Sequence, residues 1–235
     1  KHHAKKKKIR QALFVATAGA PKNLHYQFSF SKNNVIDRVS INAIKYLENN
    51  FKTSSFRKGP LGNDEIAFDV GGVRIPCGSI MRAPYDTYHT DGDTPEGVSS
   101  TKFENTILVL QEIIYILEKN SFIKRKFFGL PRLSSEKNNL YLSPQIVSGV
   151  KQNLKIDNQL LKDMPKKMIK YLYKNQNKFN DLMNALPNMC EGNHTVLDIA
   201  EFVGLPFRLV NNYVDMWVKK NLIKKIWVHP FKKSE

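Results

Sequence analysis

Two short stretches of the chain gather residue types that can hold a metal ion. The first is Gly62-Asn63-Asp64-Glu65, two adjacent acids in a turn between Pro60 and the apolar residues that follow. Its carboxylates can serve a metal directly or hold a ligand in place. The residues by themselves favour a solvated turn in which Asp64 bonds its own backbone. The second stretch is Gly72-Val73-Arg74-Ile75-Pro76-Cys77-Gly78-Ser79-Ile80-Met81-Arg82, continuing through Ala83-Pro84-Tyr85-Asp86-Thr87-Tyr88-His89-Thr90-Asp91-Gly92-Asp93. Here a buried strand delivers a histidine flanked by acids onto a loop, where binding groups are commonly displayed. An imidazole nitrogen is a good zinc donor, and a nearby carboxylate can hold its other ring nitrogen. By spacing alone, an ordinary surface or hydrogen-bonded histidine is the first reading of His89 and ligation the second.

Positioning these groups requires a layered scaffold. Ala12 to Ala18 is short and apolar and is closed by Gly19 and Pro21, which predicts a buried strand. From Asn34 to Phe51, Val35, Val39, Ile41, Ile44 and Leu47 recur at helical spacing, with Asn34 placed to cap the N-terminus. A second buried strand is expected over Val73 to Met81. A long helix then starts at Ser99 or Ser100, with Phe103, Ile107, Leu110, Ile114 and Leu117 as its apolar stripe. Strands alternating with helices imply an α/β layer fold. Tyr26, Phe28 and Phe30 alternate as the buried face of an edge strand would; a nucleotide-stacking platform is the weaker alternative, since no basic residues interleave them closely.

A second, smaller domain follows. Phe127 to Pro144 has the Gly, Pro, Ser and Asn content of an irregular tail, so the expected boundary lies near Ser143, giving domains 1–143 and 144–235. Gln159 to Leu186 reads as mostly helical. Val196, Ile199, Ala200 and Val203 make one helix face, Gly204-Leu205-Pro206 breaks it, and Leu209, Val210, Tyr213, Val214, Trp217 and Leu222 make the next. Gly204 suits a helix C-terminus and Pro206 the first turn of a new helix. Ile223 to Val228 can alternate as a wing strand, completing a winged helix-turn-helix.

With 235 residues, 41% of them hydrophobic, the chain can bury a real core. No apolar run approaches the roughly 20 residues of a membrane helix and no secretory signal opens the sequence, so a cytoplasmic protein without a membrane partner is expected. Cys77 and Cys190 are expected as reduced, packed thiols. The net charge of +16 suits a polyanion, yet lysine is spread along the whole chain, which reads first as a solvated surface. DNA could be met by the second helix of the C-terminal unit through Arg208, Asn211 and Asn212, with Lys219, Lys220, Lys224 and Lys225 nearby; docking of a protein partner is the favoured alternative.

The order Gly62-Asn63-Asp64-Glu65, Ile75-Pro76-Cys77-Gly78-Ser79-Ile80-Met81-Arg82 and Tyr88-His89-Thr90 with Asp93 resembles the end of the catalytic domain in a bacterial aminopeptidase-like family. That family is related to the co-catalytic zinc aminopeptidases and carries a C-terminal winged helix. Asp37-Arg38, Gly129-Leu130-Pro131-Arg132-Leu133, Leu140-Tyr141 and Asp198-Ile199-Ala200 to Gly204-Leu205-Pro206-Phe207 extend the similarity over nearly the whole chain. The resemblance implies part of a three-layer α/β/α zinc-exopeptidase-like domain followed by a winged helix. It also implies zinc, His89 as the last metal ligand, Asp93 as a supporting acid, and Asp64 shaping the metal pocket. Arg82 and Tyr88 would contact a small peptide or amino-compound substrate or its tetrahedral intermediate.

The family's first histidine, bridging aspartate and glutamate base would precede Lys1. The stretch Thr17-Ala18-Gly19-Ala20-Pro21 has no carboxylate where one is expected, and His25 matches no known ligand. With Lys1 as its first residue, the chain is expected to be processed or truncated, with weak zinc affinity on its own. Two functions follow as expectations: part of a zinc-dependent amide hydrolase, or a non-catalytic descendant that binds an amino compound or a protein. The sequence leaves a homo-oligomer open for either.

Overall fold

Ala12–Ala16, apolar on both of its faces, forms strand β1, which is only partly buried, Val15 being 37% exposed; two of the other strands of the first sheet are more polar, Leu-His-Tyr-Gln and Phe-Lys-Thr-Ser. The computed structural model describes residues 9–62, 64–142 and 158–227. In its first compact unit, β2 (Leu24–Gln27), β3 (Phe51–Ser54) and β4 (Cys77–Arg82) join β1 in the order β1-β4-β2-β3. β1 runs parallel to β4 and β2 parallel to β3, whereas β2 and β4 are antiparallel. All six residues of β4 are buried, as expected for a central strand covered on both faces. The strand expected over Val73 to Met81 starts later, because Gly72 and Arg74 take positive φ and turn the chain before Cys77. Tyr26 lies on β2, an interior strand rather than an edge. It is fully buried, whereas Phe30 lies beyond the strand and is 55% exposed.

Helix α1 (Val35–Leu47) buries Ile36, Val39, Ala43, Ile44 and Leu47, while Asp37 at its third position accepts from the Asn34 backbone N–H at 3.3 Å. A carboxylate there satisfies one of the helix's orphan donors and favours the positive end of the dipole. A single turn, α2 (Glu65–Phe68), precedes β4.

Helix α3 (Ser100–Lys119) has the expected start but not the expected inner face. Thr106, Val109 and Ile113 are buried, whereas Phe103, Ile107 and Ile114 are 47%, 39% and 56% exposed. Hydrogen bonding sets this rotation. Thr106 Oγ1 donates to Ala18 O at 2.8 Å, and Arg82 Nε donates to Lys102 O and Thr106 Oγ1, so the polar Thr106 is drawn inward.

The division into compact units falls between Tyr115 and Ile116, within α3. The boundary expected near Ser143 lies outside the described residues. In the second unit β5 (Ser121–Arg125) is the middle strand of an antiparallel sheet, β6-β5-β7, with β6 (Glu191–Thr195) and β7 (Ile223–Trp227) beside it. The sequence up to Leu142 belongs here as well: Leu140 and Leu142 are buried, and Tyr213 donates its hydroxyl to Leu140 O at 2.8 Å.

The helices of this unit are α4 (Lys166–Lys174), α5 (Lys178–Asn188), α6 (Val196–Val203) and α7 (Phe207–Lys219). A reciprocal cap starts α6: Thr195 Oγ1 accepts from Asp198 N, and Asp198 Oδ2 accepts from Thr195 N at 2.7 Å. Gly204, at φ 63°, ends it in the left-handed conformation that glycine adopts without a Cβ penalty. Trp217, Tyr213, Phe207 and Phe179 fill the core between these elements. Among the described residues no helix is long and apolar enough to cross a membrane.

Candidate functional site

The Pro76-Cys77-Gly78-Ser79 stretch, singled out by sequence, sits in β4 against a buried polar network. A Cβ on Gly78 would strike the hydroxyl of Tyr26, so glycine here makes room for the tyrosine ring. That hydroxyl donates to Asp37 Oδ1 at 2.9 Å. Asp37 also accepts from Ser29 N at 2.8 Å and from Ser29 Oγ at 2.5 Å, tying the end of β2 to the start of α1. Burial, and then the Asp37 charge, raise the Tyr26 pKa far above its ordinary value, so the phenol stays protonated and acts as a donor. Nearby, Asp69 accepts from Phe30 N at 2.7 Å, and the Cys77 thiol is pushed up to about 12, mainly by burial and then by Glu65. A thiol in that state is inert packing.

The adjacent acids Asp64 and Glu65 take opposite environments. Asp64 is exposed at the head of α2, whereas Glu65 is fully buried and accepts from Gln27 Nε2 at 2.9 Å. Gln27 in turn accepts from Gly59 N at 2.8 Å, so one amide bridges the 59 loop and α2. The second Glu65 oxygen, Oε2, has no hydrogen-bond partner among the described residues. Which acid of the pair would turn inward was beyond sequence reasoning; the apolar residues after Glu65 were the available cue.

Beyond β4 the loop carrying the candidate ligand is built from overlapping turns. Tyr88 N donates to Tyr85 O, Thr90 N to Thr87 O and Asp93 N to Thr90 O. Tyr85 donates its hydroxyl to Asp93 Oδ1 at 2.7 Å, bracing the loop across its width. His89, at φ 63°, is exposed, and its ring stacks on Tyr88 with centroids 3.9 Å apart. Tyr88, His89 and Asp93 are thus brought into one loop. At the base, Lys22 pairs with Asp86 at 2.8 Å.

Arg82 is a different case. Expected as a cation facing substrate, it is wholly buried, pairing with Glu48 at 2.6 Å and also donating to Lys22 O, Lys102 O and Thr106 Oγ1. It fastens the end of β4 from which the loop departs, and its polarity is spent inside the protein. His25 is half-buried on β2 and shares a 2.9 Å hydrogen bond with Ser54 Oγ on β3. Burial, then Lys52, lower its pKa below the ordinary value.

Among the described residues no group of three or more His, Cys, Asp or Glu side chains comes together to hold a metal ion. One exposed imidazole and the Tyr85-bonded Asp93 do not fit a complete zinc site, which takes about three protein ligands. In the second unit, Asn211, a candidate base reader, is 1% exposed and accepts from Lys225 Nζ at 2.7 Å. Asn212 donates to Leu160 O and Lys162 O. Both amides of α7 are engaged within the protein.

A protein family described as "Domain of unknown function (DUF4910)" matches residues 1–120. The chain is 24% identical over 226 residues to a Clostridium acetobutylicum protein named "Putative polysaccharide biosynthesis protein with aminopeptidase-like domain", covering 94% of this chain and 45% of that protein. It also resembles the solved structure of a "putative peptidase" from Clostridium acetobutylicum, with a TM-score of 0.66 and 21% identity over 95% of this chain and 44% of the other. The chain therefore spans less than half the length of the proteins it matches.

Proposed function

Because the chain belongs to the family described as a domain of unknown function, DUF4910, and resembles an aminopeptidase-like relative, we propose that it forms one part of a zinc-dependent aminopeptidase-like hydrolase acting on a peptide or related amide bond. The observation that carries this reading is the loop from Tyr85 to Asp93, braced by the Tyr85–Asp93 hydrogen bond and presenting an exposed His89 ring stacked on Tyr88. In a completed site His89 would contribute one metal ligand and Asp93 a supporting carboxylate, with Asp64 shaping the pocket. The remaining ligands and the base come from polypeptide outside residues 1–235. Zinc, when bound, supplies Lewis-acid activation of water. Within this chain Tyr88 orients the His89 ring and offers a phenol to the substrate, while Arg82 and Glu48 hold the strand end below them as positioning residues.

The test is hydrolysis of aminoacyl anilides, with bound zinc measured in parallel, by the complete product of the gene. His89→Ala should lower kcat/KM by about 100-fold or more and weaken zinc retention. Unchanged hydrolysis and zinc content in that variant would sink the reading.

A second reading is a non-catalytic binding protein in which a C-terminal winged helix docks a protein partner. It is supported by the absence of a three-ligand cluster among the described residues and by Phe202 and Trp227, which are 73% and 54% exposed on the helix-turn-helix and strand of the second unit. Direct base reading by α7 is disfavoured by the engagement of Asn211 and Asn212. A variant His89→Ala with full ligand or partner binding, in a protein that hydrolyses nothing, would select this alternative.

A further inference from the structure

β1 occupies the edge of its sheet with the sequence of an interior strand. Among the described residues its only strand neighbour is β4. Ala12 donates its N–H to Pro76 O at 2.8 Å, and the register pairs Ala12 with Cys77 and Phe14 with Ser79. Backbone direction alternates along a strand, so Leu13 and Val15 turn their N–H and C=O groups to the open side. The five residues Ala-Leu-Phe-Val-Ala carry no charge, proline or bulge, the devices that usually protect an edge. Parallel strands that are apolar on both faces belong inside a sheet.

The exposed stripe of α3 continues this surface. A Cβ on Gly19, just past β1, would meet Val98 Cγ1 at 2.6 Å and Phe103 Cβ at 3.6 Å. Ser99 N donates to Gly19 O at 2.8 Å. Val98 is 53% exposed, and Phe103, Ile107 and Ile114 lead on along the helix at 47%, 39% and 56%. An open, uncharged strand edge is thus linked through Gly19 to an exposed apolar helix face, and exposed apolar surface of this kind marks interaction sites.

We infer that this edge and stripe are a seam that receives a further apolar β-strand, with the side chains packed beside it, from polypeptide beyond residues 1–235. The occupant is the counterpart of the larger portion that the Clostridium acetobutylicum structure has and this chain does not match, since the chain covers 44% of that structure. A second copy of this chain is the poorer fit, because two bodies of net charge +16 repel each other. The inference rests on the chain being part of a larger peptidase-like protein, not on zinc: a seam without hydrolysis leaves it standing.

Amide hydrogen exchange in residues 1–235 alone and in the complete product of the gene tests it. The Leu13 and Val15 amides should exchange at least about 100-fold more slowly in the complete product. Val15→Lys and Ile114→Lys should leave the melting temperature of the 1–235 chain within about 2 °C and lower that of the complete product by about 5 °C or more. Equal exchange in the two proteins, a gene product that adds nothing to residues 1–235, or an unmoved melting temperature in the complete product overturns the inference. So does a dimer of the 1–235 chain in sedimentation that Val15→Lys dissolves, which would make a second copy the occupant.

Discussion

At the residue scale, chemistry and support separate in ways that residue type alone does not reveal. Arg82 and His89 lie in the same run of strand and loop, yet one is buried against Glu48 and the other stands in solvent. The Arg82–Glu48 pair has side chains 0% and 8% exposed, so removing one partner strands a buried charge. Arg82→Ala should cost about 3–5 kcal/mol in urea unfolding, far more than loss of a surface cation. His25 gives a pH signature. Its folded-state pKa is lowered, so below about pH 6.5 the unfolded chain binds the proton first and stability falls as pH falls. Between about pH 7.5 and about pH 5.5 the urea midpoint of His25→Gln should therefore drop less than that of the parent chain.

At the scale of elements, helix and strand types were largely legible, and the error lay in which way they face. The Asn34 start and the Gly204–Pro206 break announced themselves through caps and breakers, and the apolar run Val73 to Met81 announced a strand that begins only at Cys77. Periodicity could not decide between the two apolar faces of α3. Thr106, a residue that a hydrophobic count ignores, decided it by donating to Ala18 O. The strand at Ile223–Trp227 was legible as an alternating run, but its partner β5 lies about a hundred residues earlier in the chain, as the Ser121–Trp227 pairing shows, and no local pattern announces such a partner. Gly78 marks the opposite situation, a motif residue whose role is spatial. Gly78→Ala should destabilise the fold by about 1–3 kcal/mol by driving a methyl into the Tyr26 hydroxyl, measured as a lower midpoint with an unchanged denaturant slope.

For the whole molecule, the alternation of strand and helix patterns pointed to a mixed α/β protein, which the two sheets and their helices are, whereas among the described residues no three candidate ligands come together. The candidate ligands His89 and Asp93 share a loop, while Asp64 heads a separate turn before β4. Spacing in sequence identifies carboxylates and imidazoles; it does not supply the third and fourth donors that a zinc ion requires. The +16 charge likewise fixes how the surface meets ions and other proteins without choosing a ligand. The hydroxyl of Tyr26 lies where a side chain on residue 78 would have to be. These two positions therefore share one volume between them: a side chain gained at 78 displaces the phenol at 26, and with it the donor to Asp37.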